Sequence, residues 1–385
     1  MRSRLLRSRG FSMVELLVSV AIGLLALVFA TRLITGAEQN KSSALGSSDS
    51  MQNGMLAMFS ISGDAQQAGF GLNDPILAGC DTIFTDTGGF ALATAARGGA
   101  TVRPLAAAII ESGGAGPDRI SLYSGSSLSG TGTVRVVSNY IGGTSLNLDI
   151  EPFGFAKGDV VVVAPEAGDG QCALTQVSND PTGEPALTVA GGTGFRYNSG
   201  ELGRPFDGGT TRVFNLGPPA SLSFHTWSVT NGFLQLRSTD MAGSGATPVT
   251  VADNIVSIKA QYGFDTRTGA AFDPKGALRV GRWSAEMIDA DGDAEVGSAG
   301  DYQHMAALRI AVVARSKTRE RVGTAGTCTA TTSLPTVFGS EEPLGVKPAP
   351  VSVDVAVAGD GVDWRCYRYR VFETIVPLRN ASWRP

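Results

Sequence analysis

Histidine and charge are both scarce in this chain. Only His225 and His304 occur among 385 residues, and 17% of the residues are charged. Two isolated histidines in strand-like surroundings are read as structural, leaving little for a histidine metal centre or a nucleophile–base pair. No G-x-S-x-G elbow, H-E-x-x-H pair or P-loop occurs, so an enzyme is not expected. A basic excess is missing as well: 31 Lys+Arg stand against 35 Asp+Glu. Nucleic-acid binding, which needs clustered cations to displace counterions, is therefore unsupported. None of Cys80, Cys172, Cys328 and Cys366 forms a C-x-x-C pair, which argues against a zinc knuckle or thioredoxin-like centre. No repeat with a period of roughly 20–50 residues is visible, so a solenoid or propeller is not expected.

What is present begins at the N-terminus. An apolar run from Phe11 to Ala30 is interrupted by one carboxylate, Glu15. As a helix rising about 1.5 Å per residue, such a run spans about 30 Å, enough to cross a bilayer. Before it stand Arg2, Arg4, Arg7 and Arg9 with no acid; after it the next dozen residues offer only Arg32 and Lys41 as bases. That asymmetry predicts a cytoplasmic N-terminus, with the remaining chain sent outward. A carboxylate inside the bilayer costs about 2.5–3.5 kcal/mol on insertion scales, so Glu15 needs a partner. Cutting the chain after Gly10 would supply one. The new ammonium at Phe11 would lie four residues from Glu15, about one helical turn away, on the same subunit or a neighbour. An ordinary secretory signal is cut after its apolar stretch; here the candidate cut precedes it, so the helix stays on the mature chain. Losing the leader's four arginines would take Lys+Arg from 31 to 27 against 35 acids, a net of −8.

Beyond the membrane stretch, no proline occurs from Arg32 to Gln67, and Met51, Met55, Met58 and Phe59 recur at helical spacing. The helix is expected to continue to about Gln67 and to lay this methionine stripe on the sheet of a head domain. Gly36, Gly46, Gly54 and Gly63 would each weaken it by roughly 1 kcal/mol and invite local melting. After Gly71 the pattern turns to strands: Asp118–Tyr123, Thr133–Ser138, Asp159–Ala164, Thr211–Leu216, Leu222–Val229 and Phe233–Arg237, each bounded by turn formers. Asn231-Gly232 closes a hairpin, because both residues accept positive φ. Val256, Ile258, Ala260, Tyr262 and Phe264 alternate with Ser257, Lys259, Gln261 and Gly263, predicting a half-buried strand. His304–Arg315 and Cys366–Val376 read as central strands, the second ended by Pro377.

Four widely spaced cysteines in an exported, oxidising setting predict two disulfides, with three connectivities open. Pairing neighbours along the chain gives Cys80–Cys172 and Cys328–Cys366. The cluster Asp289, Asp291, Asp293 and Glu295 has oxygen-ligand spacing for Ca²⁺, although its glycine falls at the fourth position, unlike an EF-hand loop. The other reading is a solvated acidic turn, with no cofactor.

The order basic leader, Gly10, Phe11, Ser12, Met13, Val14, Glu15 and an unbroken apolar run resembles the class III signal of type IV pilins and type II secretion pseudopilins. The resemblance implies cleavage after Gly10 by a prepilin peptidase, methylation of Phe11 and an assembly role for Glu15. Asp64 to Gly71, Asn254 to Asp265, Ala307 to Ser316 and Trp364 to Asn380 are similar, in the same order, to PilW-type minor pilins. The chain departs from major pilins in its length and in carrying Arg32 at the mature twenty-second position, where they have proline. Both departures suit a low-copy subunit.

The resemblance implies an α+β protein: leader 1–10, a pilin helix 11–67 with a membrane half of about 11–31, and a β-rich periplasmic head 68–385. It implies a single-pass inner-membrane protein that later enters the pilus near its tip and helps prime assembly. The implied partners are other minor pilins, the major pilin, the prepilin peptidase, a tip adhesin and the inner-membrane assembly platform. Alternatives are a J-type pseudopilin of type II secretion and a pilus-borne adhesin or calcium-dependent binding module.

Overall fold

The computed structural model describes residues 12–125, 133–167, 170–274, 278–320, 322, 326–339, 342–347 and 349–382. A single helix, Met13–Gln67, runs for 55 residues. Ser12 keeps an extended backbone while its side chain accepts the Val14 N–H, satisfying one of the donors a helix start leaves open. Gly69, at φ 84°, turns the chain off the helix, and its N–H donates to the Tyr123 carbonyl at 2.8 Å. The stretch Met13–Glu38 is long and apolar enough to cross a membrane, and no part of the described chain covers it.

The second half of the helix lies on the head, but with a different face from the expected one. Ser50, Gly54, Ala57, Ile61 and Ala65, three or four residues apart, are buried. Met51, Met55 and Phe59 point outward, and only Met58 of the expected stripe packs on the core, partly buried. All of the inward residues but Ile61 are small, which lets the helix approach the sheet closely. A Cβ on Gly54 would overlap the Phe372 ring, and one on Gly46 would come within 2.7 Å of the Thr318 hydroxyl. The helix runs unbroken through all four glycines. Gly46 and Gly54 are approach points of the head; Gly36 and Gly63 face open space.

The helix packs on a four-stranded antiparallel sheet ordered Arg282–Ser284, Ile255–Phe264, Met305–Arg315, Tyr369–Pro377. Beside it stands a five-stranded antiparallel sheet ordered Val249–Asp253, Phe233–Ser238, Ser223–Thr230, Arg119–Ser124, Ala108–Glu111. Asn231 and Gly232, both at positive φ, close the hairpin between two of its strands. Between Ser124 and Ser223, which pair directly, the chain leaves to build most of a six-stranded sheet. That sheet includes Thr133–Val136, Val160–Pro165, Gln171–Gln176 and Thr211–Gly217, and it closes a second apolar core around Val161, Val163, Leu187 and Phe206. The architecture is α+β, an N-terminal apolar helix followed by a β-rich domain.

Two strand readings are corrected. Ile255–Phe264 is buried on both faces rather than half-buried. Ile258, Ala260, Tyr262 and Phe264 face the main core, and a bulge between Ile255 and Ser257 breaks the alternation at Val256. Val256 packs with Val337, Phe338, Val353 and Val355, which cover the other side. Lys259 survives this burial by pairing with Asp118 and donating to the carbonyls of Gly114 at 2.9 Å and Gly116 at 3.0 Å. The last strand, Tyr369–Pro377, is outermost in its sheet rather than central. Its apolar residues are explained by the helix, since Phe372 packs toward Gly54.

Candidate functional site

The helix joins the uncovered apolar stretch to the head, and its far end is fastened by charge. Asp64, in its last turn, accepts from Trp227 Nε1 at 2.7 Å and faces His225 Nδ1 at 2.7 Å. The opposite ring nitrogen of His225 lies 3.0 Å from both carboxylate oxygens of Asp240. Burial opposes charge on this imidazole, but the hydrogen bonds to Asp240 and Asp64 outweigh it and raise its pKa to about 9. The ring is therefore a cation held between two carboxylates, one on the helix and one on the strand end. Asn380 Nδ2 donates to the Gln66 and Gln67 carbonyls at 3.1 Å, and Asn53 donates to Asp253. No sequence pattern announces this clamp, because its members come from four separate stretches of chain.

At the other end, Glu15 stands exposed in the first turn, where the positive end of the helix dipole favours a carboxylate. Gly10 and Phe11, the expected cleavage and methylation positions, lie outside the described residues.

Of the four acidic residues with ligand spacing, the structure gathers two, Asp289 and Asp291, and adds Asp301. Their carboxylate oxygens lie within 4.8 Å of one another. Among the described residues, these three could together hold a cation. Asp293 and Glu295 stand outside that group, and the Asp293 carboxylate accepts the Glu295 N–H at 2.7 Å. Asp301 was not visible as a member, being buried in a short helix ten residues farther on. It accepts N–H bonds from Ala290, Asp291 and Gly297, and Asp289 accepts from Gly292 and Ala294. Burial pushes the carboxyls of Asp291 and Asp301 above the usual range, ahead of the opposing pull of the Asp293 N–H on Asp291 and of the three N–H bonds to Asp301.

His304, the second histidine, is buried, stacks on Phe272 at 3.6 Å and lies 2.6 Å through Nδ1 from the Asp265 carbonyl. Cys80 is joined to Cys172 and Cys328 to Cys366, with Cα separations of 5.9 and 4.8 Å. The first bridge ties adjacent parallel strands, Cys80–Ile83 and Gln171–Gln176. The second links the loop before Thr336 to the turn Trp364–Cys366, beside the last strand.

Two family models match the chain. One, described as type IV pilus-assembly protein W, covers residues 226–380, which include the whole sheet under the helix. The other, the prokaryotic N-terminal methylation motif, covers residues 5–31. No curated protein and no solved structure matches.

Proposed function

We propose that this chain, a PilW-like type IV pilus minor pilin with a class III signal, helps prime pilus assembly and takes its place near the filament tip. The observation that carries the reading is the helix. Its first half is apolar and uncovered, while its second half is fastened to a large β-rich head by packing and a charged clamp. A subunit built this way passes from a bilayer to a bundle of like helices without refolding its head. The first subunits of any filament lack lateral neighbours. A preassembled group of minor pilins would supply those contacts before the major pilin can. The reading places the precursor in the inner membrane with its head in the periplasm, and the processed chain in the pilus.

The pilus-assembly match lies in the head, away from the signal that secretion pseudopilins share, and it supports the pilus over the secretion reading. The matched family is structural, so no catalytic step is assigned. Processing tests the membrane half of this proposal. Gly10 leaves the scissile backbone open to the peptidase, and Gly10→Val should give an uncleaved, membrane-held chain missing from sheared filaments. Normal maturation of that variant on a gel would refute the proposed processing.

A further inference from the structure

We infer that the five-stranded sheet carries a groove for an acidic saccharide, with Arg237 and Arg119 as the groups that hold its carboxylate. The groove, about 470 Å³, lies over the strands Arg119–Ser124, Ser223–Thr230 and Phe233–Ser238. Strand register defines its floor. Ser228 stands opposite Gln235, and Thr226 stands opposite both Ser121 and Arg237. Ile120 stands opposite Trp227, so Arg119, one residue away, shares the face of Ser228. Trp227 points the other way, to Asp64 on the helix. The groove therefore opens on the face of the sheet that the helix does not cover.

Charge sets the sign of the ligand. Arg119 pairs with Glu111 at 3.3 Å, and Asp118, which also lines the groove, is taken up by the buried Lys259. Arg237 has no carboxylate partner among the described residues. Its Nη2 donates to the Ala246 carbonyl at 2.7 Å, and its buried Nε has no partner there. These groups are three cations against two carboxylates, a positive excess on a chain whose formal net charge is −4. A guanidinium so placed offers a planar fork of N–H donors that matches a carboxylate. The floor decides what carries that carboxylate. Ser228 and Gln235, half-buried, make no side-chain hydrogen bond among the described residues, and each can both donate and accept, which suits hydroxyl groups. Pro117, Val229 and Pro248 add apolar wall for the C–H faces of a sugar ring. An extended peptide gains affinity by adding to a free strand edge, whereas all three floor strands are paired on both sides. The volume lies within the range of about 300–1,000 Å³ for small-ligand sites.

The test is calorimetric titration of the full chain in a detergent without a sugar headgroup. The acidic probes are the trisaccharides of glucuronate and galacturonate, and N-acetylneuraminate. The matched neutral sugars and pentaglutamate serve as comparisons. At least one acidic saccharide should bind saturably, about tenfold or more tighter than the neutral sugars and pentaglutamate, and more weakly as salt rises. Arg237→Gln should weaken that binding by about tenfold or more, the scale of one hydrogen bond to a charged group, with the melting midpoint held. Arg119→Gln, at a side chain 49% exposed, should weaken it severalfold, and it decides the matter if the Arg237 variant fails to fold. No binding of any acidic saccharide at about 1 mM would overturn the inference. So would equal binding of the neutral sugars or of pentaglutamate, or an affinity unchanged in either folded variant.

Discussion

His225 holds its proton at neutral pH because two carboxylates reach it from opposite sides, and that proton is part of how the helix stays on the head. Its folded pKa, about 9, exceeds the ordinary 6.5. The native state therefore binds the proton more tightly than the unfolded chain does. The stabilisation is fully present below about pH 6.5 and fades as pH rises through about 9. A thermal melt of the protein in detergent should show a falling midpoint between pH 7 and 9, by roughly the few degrees that 1 kcal/mol moves a large domain. His225→Gln should lower the midpoint at pH 6 and flatten that slope; an equal slope in the variant would remove His225 from the account. The sequence showed this residue as structural, in an alternating strand beside Trp227. It could not show Asp64, which stands 161 residues away. Lys259 was likewise legible as a strand residue but not as a buried cation, because Asp118 lies 141 positions earlier.

At the scale of elements, the helix shows what periodicity does and does not say. Helical spacing of apolar residues located the helix and its end near Gln67 correctly, since 3.6 residues per turn is a property of the chain itself. Which face turns inward is decided by the partner surface. Here a sheet with the Phe372 ring raised on it takes Gly54 and Ala57 at close approach and leaves Met51 and Met55 outside. The glycines separate on the same ground. Gly54→Ala gains helix propensity of about 1 kcal/mol but forces the Phe372 ring aside, and overpacking of about 1–3 kcal/mol should win. Gly63→Ala meets nothing within 4 Å and should stabilise by about 1 kcal/mol. Chemical denaturation of both variants checks the pair. A more stable Gly54→Ala would mean that the helix does not rest on Phe372 as described.

For the whole molecule, local signals carried far and long-range ones did not. The strands bounded by Gly, Pro, Asn and Ser lie within a few positions of expectation, and the Asn231-Gly232 hairpin forms where its φ preferences require. The pairing of Cys80–Ile83 with Gln171–Gln176 had no short-range mark, because a parallel pair joins segments far apart in sequence. The cover over Ile255–Phe264 went unseen for a related reason. It comes from short, irregular segments near Val337 and Val353 that have no period of their own.

The functional reading rests chiefly on the N-terminus, where Glu15 is the one carboxylate within an apolar run, four residues from Phe11. The account's central claim is that this carboxylate serves assembly, by pairing with the Phe11 ammonium of its own or a neighbouring subunit in a bundle with little water. The direct measurement is pilus number, together with co-purification of minor pilins, in a Glu15→Ala strain lacking the wild-type copy. The account predicts normal insertion and normal cleavage after Gly10, with co-purification and surface pili both reduced. Full piliation with undiminished co-purification would contradict it.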